Sequence, residues 1–170
     1  MIPAKVIISK EDGMKDVRTA QASDMNNILS VIGSYCFKWD KPIAKRYYED
    51  YFSGNSAPLK GDKVYVLTLG KKVIGVIGYS LDRYETKNYW LGWFYVHKAH
   101  QGKKNGKQLL TFVEKKLKGK GVKKLFIDTS SYKTYKKALG FYLANGFSFE
   151  AVIKDYYGEE EDQIILSKLI

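Results

Sequence analysis

The segment from Gln101 to Lys107 is the part of the sequence whose residue types and spacing are best suited to chemistry. It contains two glycines, three lysines and an asparagine. It also precedes a stretch, about Gly106 to Lys118, whose apolar residues recur with helical spacing. The first turn of a helix has unpaired backbone N–H groups and a partial positive charge, and glycine lets an anion come close. The segment therefore predicts a phosphate-binding loop at a helix N-terminus.

Two common phosphate-binding motifs do not fit this loop. Gly102 and Gly106 are separated by three residues rather than four, and Gln108 stands where a nucleotide-triphosphate loop needs Ser or Thr for magnesium. The glycine spacing also differs from that of the dinucleotide fingerprint, and the strand and helix come late in the chain. A pyrophosphate of another kind would still fit.

Composition limits the class of protein. The formal charge of +11 favours anionic partners, and nucleic acid, an acidic surface and a phosphorylated cofactor all qualify. The 29 Lys and Arg residues are scattered over most of the chain, which favours a solvated basic surface over a nucleic-acid stripe. A single cysteine excludes an internal disulfide, and no cluster has metal-site spacing. The start lacks a signal peptide's apolar core, and no apolar run approaches the roughly 18 residues of a membrane span. We therefore expect a cytoplasmic protein that does not cross a membrane.

The elements that must position the loop follow from hydrophobic periodicity. One domain over 1–170 is expected, with about 1–15 as an N-terminal extension or irregular strand. The strand following the loop's helix implies a parallel pair, and hence an α/β domain with a mixed sheet. Gly92 within a strand predicts a bulge or a close approach to the backbone. The predicted strands are 17–20, 63–69, 72–80, 89–96, 124–128, 147–154 and 163–169, and the predicted helices are 24–36, 42–53, 106–118 and 133–144.

The loop and its surroundings resemble the GNAT superfamily of acetyltransferases. The mark of that superfamily is Gln/Arg-x-x-Gly-x-Gly/Ala between a strand and a helix, and here Gln101 and Gly106 are its first and last residues, with Lys104 at the middle glycine. The resemblance extends to Leu91–Val96, Lys124–Thr129 and Phe141–Phe147. It covers about 60–170 closely, which would be the cofactor-binding core, and the region from Val17 to Tyr35 more loosely.

The resemblance implies an α/β (α+β) fold in a single GNAT-like domain. The expected sheet is mixed and mostly antiparallel, with about six to seven strands, a central splayed parallel pair and about four flanking helices. The implied activity is direct transfer of an acetyl group from acetyl-CoA to a primary amine of a small molecule, protein or peptide, without a metal. Carried over residue by residue, the cofactor-binding residues are Phe94, Tyr95, Val96, Gln101, Gly102, Lys103, Lys104, Asn105, Gly106, Lys107, Thr129 and Tyr135.

The resemblance also assigns proton transfer. Tyr142 matches a tyrosine near the sulfur, and a phenol with a pKa near 10 can protonate a departing thiolate as a general acid. From the residues alone, its helical spacing with Tyr135, Ala138 and Leu139 equally suits a core position. An N–H near Tyr95 or Val96 would stabilise the oxyanion. Because Trp90 stands where many relatives have an acidic residue, the general base is left among Glu85, Asp82, Asp155, His97 and a water-mediated path, with Glu85 the first candidate.

The acceptor side is less defined. In this family it is built from the first two helices and the last hairpin, and its many aromatic residues here suit a flat or cationic ligand or simply a core. They are Tyr35, Phe37, Trp39, Tyr47, Tyr48, Tyr51, Tyr84 and Tyr156. The partners expected are acetyl-CoA and an amine acceptor, nucleic acid is not expected, and a homodimer stays open. The alternatives are a CoA-binding sensor without catalysis and a basic RNA- or ribosome-associated binding module.

Overall fold

The structure, a computed structural model, describes residues 13–35, 40–54, 61–84 and 86–170. The sequence-based predictions for most of 1–15 and for Phe37, Trp39 and Glu85 lie outside the described residues.

Seven strands form one mixed sheet in the order β1-β2-β3-β4-β5-β7-β6. They are β1 Lys15–Thr19, β2 Lys63–Leu69, β3 Lys72–Leu81, β4 Tyr89–Val96, β5 Lys124–Ser130, β6 Ser148–Gly158 and β7 Glu161–Leu169. The pair β4–β5 is parallel, and every other neighbouring pair is antiparallel. The prediction of a mostly antiparallel sheet with a central parallel pair is confirmed.

Four α-helices among the described residues flank the sheet. They are α1 Met25–Gly33, α2 Asp40–Ser53, α3 Asn105–Lys118 and α4 Lys136–Ala144. Short 3-10 turns precede α1 and α4, at Ala22–Asp24 and Lys133–Tyr135, so both helices begin later than their periodicity predicted. Within the described part of the chain, no helix is long and apolar enough to cross a membrane.

The two faces of the sheet carry different helices because side chains alternate along each strand. On β2, Tyr65 and Leu67 belong to the cluster that α3 and α4 complete, with Leu109 and Tyr142 among its members. Val64 and Val66 belong to the cluster that α1 and α2 complete. Helices α3 and α4 therefore cover one face, and α1 and α2 cover the other.

The face under α1 and α2 is covered over only part of its width. Among the described residues, the strand members of that cluster come from β2, β3 and β4, and none comes from β5, β6 or β7. On β5 the residues facing that side, such as Phe126 and Asp128, are partly exposed, while Leu125 and Ile127 on the opposite side are buried. The half of the sheet beyond β4 is therefore open on the α1 and α2 side.

A gap opens in the middle of the sheet because β4 and β5 diverge. Their parallel pairing is limited to Tyr89 with Leu125 and Trp90 with Phe126. Just beyond, the β3 pairing shifts between Gly92 and Tyr95, and Trp93 takes a φ of 49°. Such a bulge bends a strand and increases its twist. The bulge predicted near Gly92 is confirmed, and it lies where β4 leaves β5.

Candidate functional site

The exposed backbone edge of β4 is the first part of the candidate site. His97 N donates to Ile74 O at 2.9 Å, so residue 97 turns its backbone groups toward β3. Because direction alternates along a strand, Phe94 and Val96 turn theirs toward the gap. Gln101 Nε2 donates to Val96 O at 3.1 Å, which leaves the Val96 N–H facing the gap.

The N-terminus of α3 is the second part. Lys104 occupies the N-cap position with φ 61° and ψ 6°, in the left-handed conformation that a middle glycine would supply, and its side chain makes no capping bond. Gln108 N donates to Lys104 O at 3.0 Å, so the N–H groups of residues 105–107 precede the first helical bond. Within the described residues, no hydrogen bond uses the backbone N–H groups of residues 102–107. This row of free donors, 102–107, suits an anion.

Two of the residues predicted to surround the phosphates use their side chains to hold the loop in shape. Asn105 is 2% exposed, and its Nδ2 donates to His100 O at 2.8 Å. The Gln101 side chain binds the end of β4 through Val96 O. Both residues therefore offer a ligand their backbone N–H groups. By contrast, the side chains of Lys103, Lys104 and Lys107 are exposed around the free donors.

Glycine is favoured at the two glycine positions of the loop for different structural reasons. Gly102 has a φ of 73° and open space where a Cβ would stand, so its conformation is what favours glycine. A Cβ on Gly106 would lie 3.4 Å from Cε2 and Cζ of Phe141 and 3.8 Å from Cζ of Phe94. The absent side chain at Gly106 therefore lets α3 pack closely against the ring of Phe141.

Tyr142 lies beside the gap with its ring in the core. It is 5% exposed, and its ring centroid is 6.1 Å from that of Phe94 and 5.7 Å from that of Phe147. The core position that its helical spacing suits is therefore observed, and its role as general acid stays a prediction. Burial, followed by the charge of Asp128, raises the pKa of Tyr142, so the phenol is protonated at neutral pH. Its hydroxyl makes no hydrogen bond with any described residue.

Asp40 joins the two sides of the gap and was not singled out from the sequence. Its Oδ2 accepts a hydrogen bond from Tyr95 on β4 at 2.6 Å and another from Tyr135, after β5, at 2.6 Å. Burial, followed by the charge of Asp40, raises the pKa of Tyr95, which keeps that phenol a donor. An Asp at the start of a helix looks like an ordinary cap in sequence, so no local signal distinguished it.

Asp128 is a second carboxylate that sequence analysis passed over. Its Oδ2 accepts from Tyr157 Oη at 3.0 Å and from Gln163 Nε2 at 2.9 Å. It lies at the end of β5 and acts on the pKa of Tyr142. Its place at the carboxyl end of a parallel strand was the available signal, because ligand-binding groups concentrate there.

The alternative bases proposed from sequence have local structural partners. The Asp82 carboxylate accepts from Thr86 Oγ1 and from the backbone N–H groups of Tyr84 and Thr86, and these bonds lower its pKa. His97 Nδ1 accepts from Ala99 N, and Asp155 Oδ1 accepts from Glu160 N. Trp90, where the resemblance led us to look for an acidic residue, stacks on Phe126 with ring centroids 5.0 Å apart.

Of the aromatic residues expected on the acceptor side, Tyr35 lies by the gap. Its ring centroid is 6.2 Å from that of Tyr95 and 6.0 Å from that of Tyr135, and its hydroxyl donates to Thr134 O at 2.5 Å. Tyr48 is fully buried, whereas Tyr84 and Tyr156 are largely exposed. Thr129, predicted to contact the cofactor, is buried on the α3 and α4 side of β5.

Comparisons with known proteins agree with this geometry. An acetyltransferase assigned to the GNAT family from Desulfovibrio desulfuricans is 24% identical, with a TM-score of 0.83 over 92% of this chain and 99% of that one. The ribosomal-protein-S18-alanine N-acetyltransferase of Escherichia coli is 19% identical, with a TM-score of 0.73 over 92% and 94%. The PaiA N-acetyltransferase of Thermoplasma acidophilum, solved with coenzyme A, is 19% identical, with a TM-score of 0.68 over 92% and 99%. These similarities show the fold. No curated protein sequence matches the chain.

The family model gives the stronger result. The model of the acetyltransferase (GNAT) family matches residues 27–147, which is more than half of the chain and includes most of α1, the gap, the loop and Tyr142. Members of this family use acetyl-CoA as the acetyl donor. The chain therefore belongs to the GNAT family of acetyltransferases and is an acyltransferase.

Proposed function

We propose that this protein transfers an acetyl group from acetyl-CoA directly to a primary amine. The observation that carries the proposal is the Tyr142 hydroxyl, which lies beside the gap, is protonated at neutral pH and has no hydrogen-bond partner among the described residues. Unlike the Tyr48 hydroxyl, which is enclosed and has no partner among the described residues, the Tyr142 hydroxyl keeps contact with solvent. A free and protonated phenol beside the open edge of β4 is the arrangement that a departing thiolate needs.

The binding of acetyl-CoA is supported by two sets of backbone groups. The free N–H groups of residues 102–107 would hold the pyrophosphate, with the exposed Lys103, Lys104 and Lys107 adding positive charge around it. The gap-facing groups of Phe94 would bind the pantetheine arm as a neighbouring strand would, and the gap-facing N–H of Val96 would face the thioester carbonyl. Both sets lie on one continuous segment that leads from β4 into α3.

Residues beside the gap can be assigned to the steps of the transfer. The Val96 N–H stabilises the oxyanion that forms when the amine attacks the thioester carbonyl. As the C–N bond forms and the C–S bond breaks, Tyr142 gives its proton to the sulfur. The carboxylates Asp40 and Asp128 lie on the side from which an amine would approach, and their charge favours an acceptor that arrives as a cation.

The test compares Tyr142→Phe with Tyr89→Phe, since Tyr89 lies at the start of β4, where that strand still pairs with β5, and its ring packs on Tyr79 with centroids 5.6 Å apart. We expect Tyr142→Phe to lower kcat/KM by about 100-fold, the size of one general acid. The rise in melting temperature that acetyl-CoA causes should be the same in Tyr142→Phe as in the wild type, because the groups that donate hydrogen bonds to the phosphates are backbone N–H groups. The measurement is transfer of labelled acetyl groups to polyamines, aminoglycosides and peptides, together with thermal shift.

Three outcomes separate the alternatives. No thermal shift with acetyl-CoA contradicts cofactor binding. A thermal shift without transfer to any acceptor supports a CoA sensor. Equal transfer by Tyr142→Phe and the wild type contradicts the role of Tyr142 as the acid, while acetyl transfer itself would stand.

A further inference from the structure

We propose that the Asp40 carboxylate binds the ammonium group of the acceptor and takes the proton that the nitrogen loses during transfer. This inference rests on the proposed function and assigns its acceptor-recognition group. Asp40 lies on α2, far in sequence from the loop and Tyr142.

The position of Asp40 is fixed from both sides of the gap. Tyr95 belongs to β4, Tyr135 precedes α4, and both hydroxyls donate to the same oxygen, Oδ2, at 2.6 Å. Asp40 therefore spans the mouth of the gap on the α1 and α2 side. The opposite side of the gap holds Tyr142, which is close enough to Tyr95 to contribute to its raised pKa.

The other carboxylate oxygen is available to a ligand. Oδ1 of Asp40 accepts no hydrogen bond from the described residues, while two phenols orient Oδ2. Tyr95 and Tyr135 reach this carboxylate through their hydroxyls, and the ring of Tyr35 lies beside both of their rings, with centroids 6.2 and 6.0 Å away. A carboxylate among electron-rich rings suits an alkylammonium ion, because charge attraction and cation–π attraction add. On a chain of formal charge +11, this is a local site for a cation.

The neighbouring strand does not supply this charge. Trp90 on β4 is uncharged, and its ring stacks on Phe126 with centroids 5.0 Å apart. Asp82, His97 and Asp155 hold turns or strand ends through their own hydrogen bonds. Asp128 gives one oxygen to Tyr157 and Gln163 and lies on the β5 side. Of these carboxylates, Asp40 on α2 is the one that accepts hydrogen bonds from both sides of the gap.

The nitrogen loses two protons during the reaction, and each has a defined acceptor. The bound ammonium first releases one proton to solvent and becomes a neutral nucleophile. As the C–N bond forms, the nitrogen becomes strongly acidic and passes a second proton to Oδ1 of Asp40, while Tyr142 protonates the sulfur. The proton on Asp40 then returns through solvent to the Tyr142 phenolate. One proton is released for each ammonium converted to an amide.

A purely structural role for Asp40 makes a different prediction. Asp40 is in the first turn of α2, where a negative charge stabilises the helix, and it ties two tyrosines together. Asn at this position still accepts both phenol hydrogen bonds and still suits a helix start. The change Asp40→Asn therefore removes the charge and leaves most of the structural role. Glu49→Gln is the matched control, since Glu49 lies on the same helix with its side chain 50% exposed.

The experiment titrates spermidine, kanamycin and an alanine-first peptide into the protein saturated with CoA, by calorimetry, for the wild type, Asp40→Asn and Glu49→Gln. We expect one of the three amines to bind the wild type, about ten-fold or more weaker binding to Asp40→Asn, and a change within about two-fold for Glu49→Gln. Acetyl transfer to the bound amine should fall further in Asp40→Asn, because the proton acceptor is lost.

The readouts separate this inference from the proposed function. Wild-type affinity and transfer rate in Asp40→Asn would overturn the inference and leave acetyl transfer standing. Binding of none of the three amines by the wild type would also overturn it. The acetyl-CoA thermal shift of Asp40→Asn, which we expect to equal that of the wild type, shows whether the cofactor site is intact.

Discussion

The two sides of the candidate site are built in different ways. The proposed cofactor side comes from one continuous stretch, Phe94–Lys107, and consists mainly of backbone N–H groups. The proposed acceptor side collects side chains from separate elements: Asp40 from α2, Tyr95 from β4, Asp128 from β5, Tyr135 from the turn before α4 and Tyr157 from β6. The first side depends on local conformation, and the second depends on how distant elements pack.

This difference predicts which changes affect which side. Conformational changes in the loop should abolish cofactor binding without a change in the acceptor groups. Changes in the packing of α1 and α2 should lower stability or amine recognition and leave cofactor affinity unchanged.

The largest effect is expected for Gly106→Val. Its Cβ would stand 3.4 Å from the Phe141 ring, and its methyl groups would then overlap that ring or push the start of α3 away. We expect loss of the acetyl-CoA thermal shift and destabilisation of about 1–3 kcal/mol from overpacking. Thermal shift and urea unfolding measure both effects.

The matched control is Gly140→Ala on α4, where nothing lies within 4 Å of the new Cβ. It should keep the full thermal shift and raise stability by about 0.5–1 kcal/mol, since alanine is the better helix former. A full acetyl-CoA shift in Gly106→Val would contradict the dependence of the cofactor side on this close approach.

A smaller effect is expected for Asp24→Asn, which should act on stability alone. Asp24 is 5% exposed and accepts from Arg18 Nη1 at 2.7 Å, from Arg18 Nη2 at 2.9 Å and from Gln21 N at 2.8 Å, just before α1. We expect a loss of about 1–2 kcal/mol at neutral pH, discounted because the Arg18 side chain is 37% exposed. Cofactor affinity should not change, and Asp16→Asn on exposed β1 is the control.

The same pair makes a pH prediction. The hydrogen bond from Arg18 lowers the pKa of Asp24 in the folded protein. A lowered folded pKa gives stability that is full above the unfolded value, about 4, and is lost as pH falls through the folded value. Urea unfolding should therefore show the full difference in free energy of unfolding between the wild type and Asp24→Asn at neutral pH. This difference should become smaller below about pH 4. A difference in free energy of unfolding that stays constant from neutral pH to below about pH 4 would contradict this prediction.

The smallest effect is expected for Lys107→Gln. Lys107 is an exposed point charge beside the free N–H groups, so its removal should weaken acetyl-CoA binding by about two- to five-fold. Added salt should shrink this difference by screening. Lys118→Gln, at the far end of α3, is the control and should bind as the wild type does. Equal affinity of Lys107→Gln and Lys118→Gln for acetyl-CoA would indicate that the backbone N–H groups bind the phosphates without a contribution from the charge of Lys107.

Much of the fold could be predicted because its signals are local. Runs rich in β-branched residues predicted β2 and β3, and Gly70-Lys71 predicted their turn. Gly92 predicted the bulge by which β4 leaves β5. The start of α4 was less accurate, because Tyr135 in the 3-10 turn before it continues the apolar spacing of the helix.

By itself, the sequence determined the family, the order of the elements and the loop that offers its N–H groups at the start of α3. These follow from residue types within short stretches, where glycine, lysine and apolar spacing act on neighbouring backbone. The tertiary structure alone decided that Asn105 and Gln101 turn their side chains to the protein, and that Asp40 meets Tyr95 and Tyr135 across the gap. A hydrogen bond between residues 95 positions apart depends on the packing of two helices on one sheet, which no local pattern encodes.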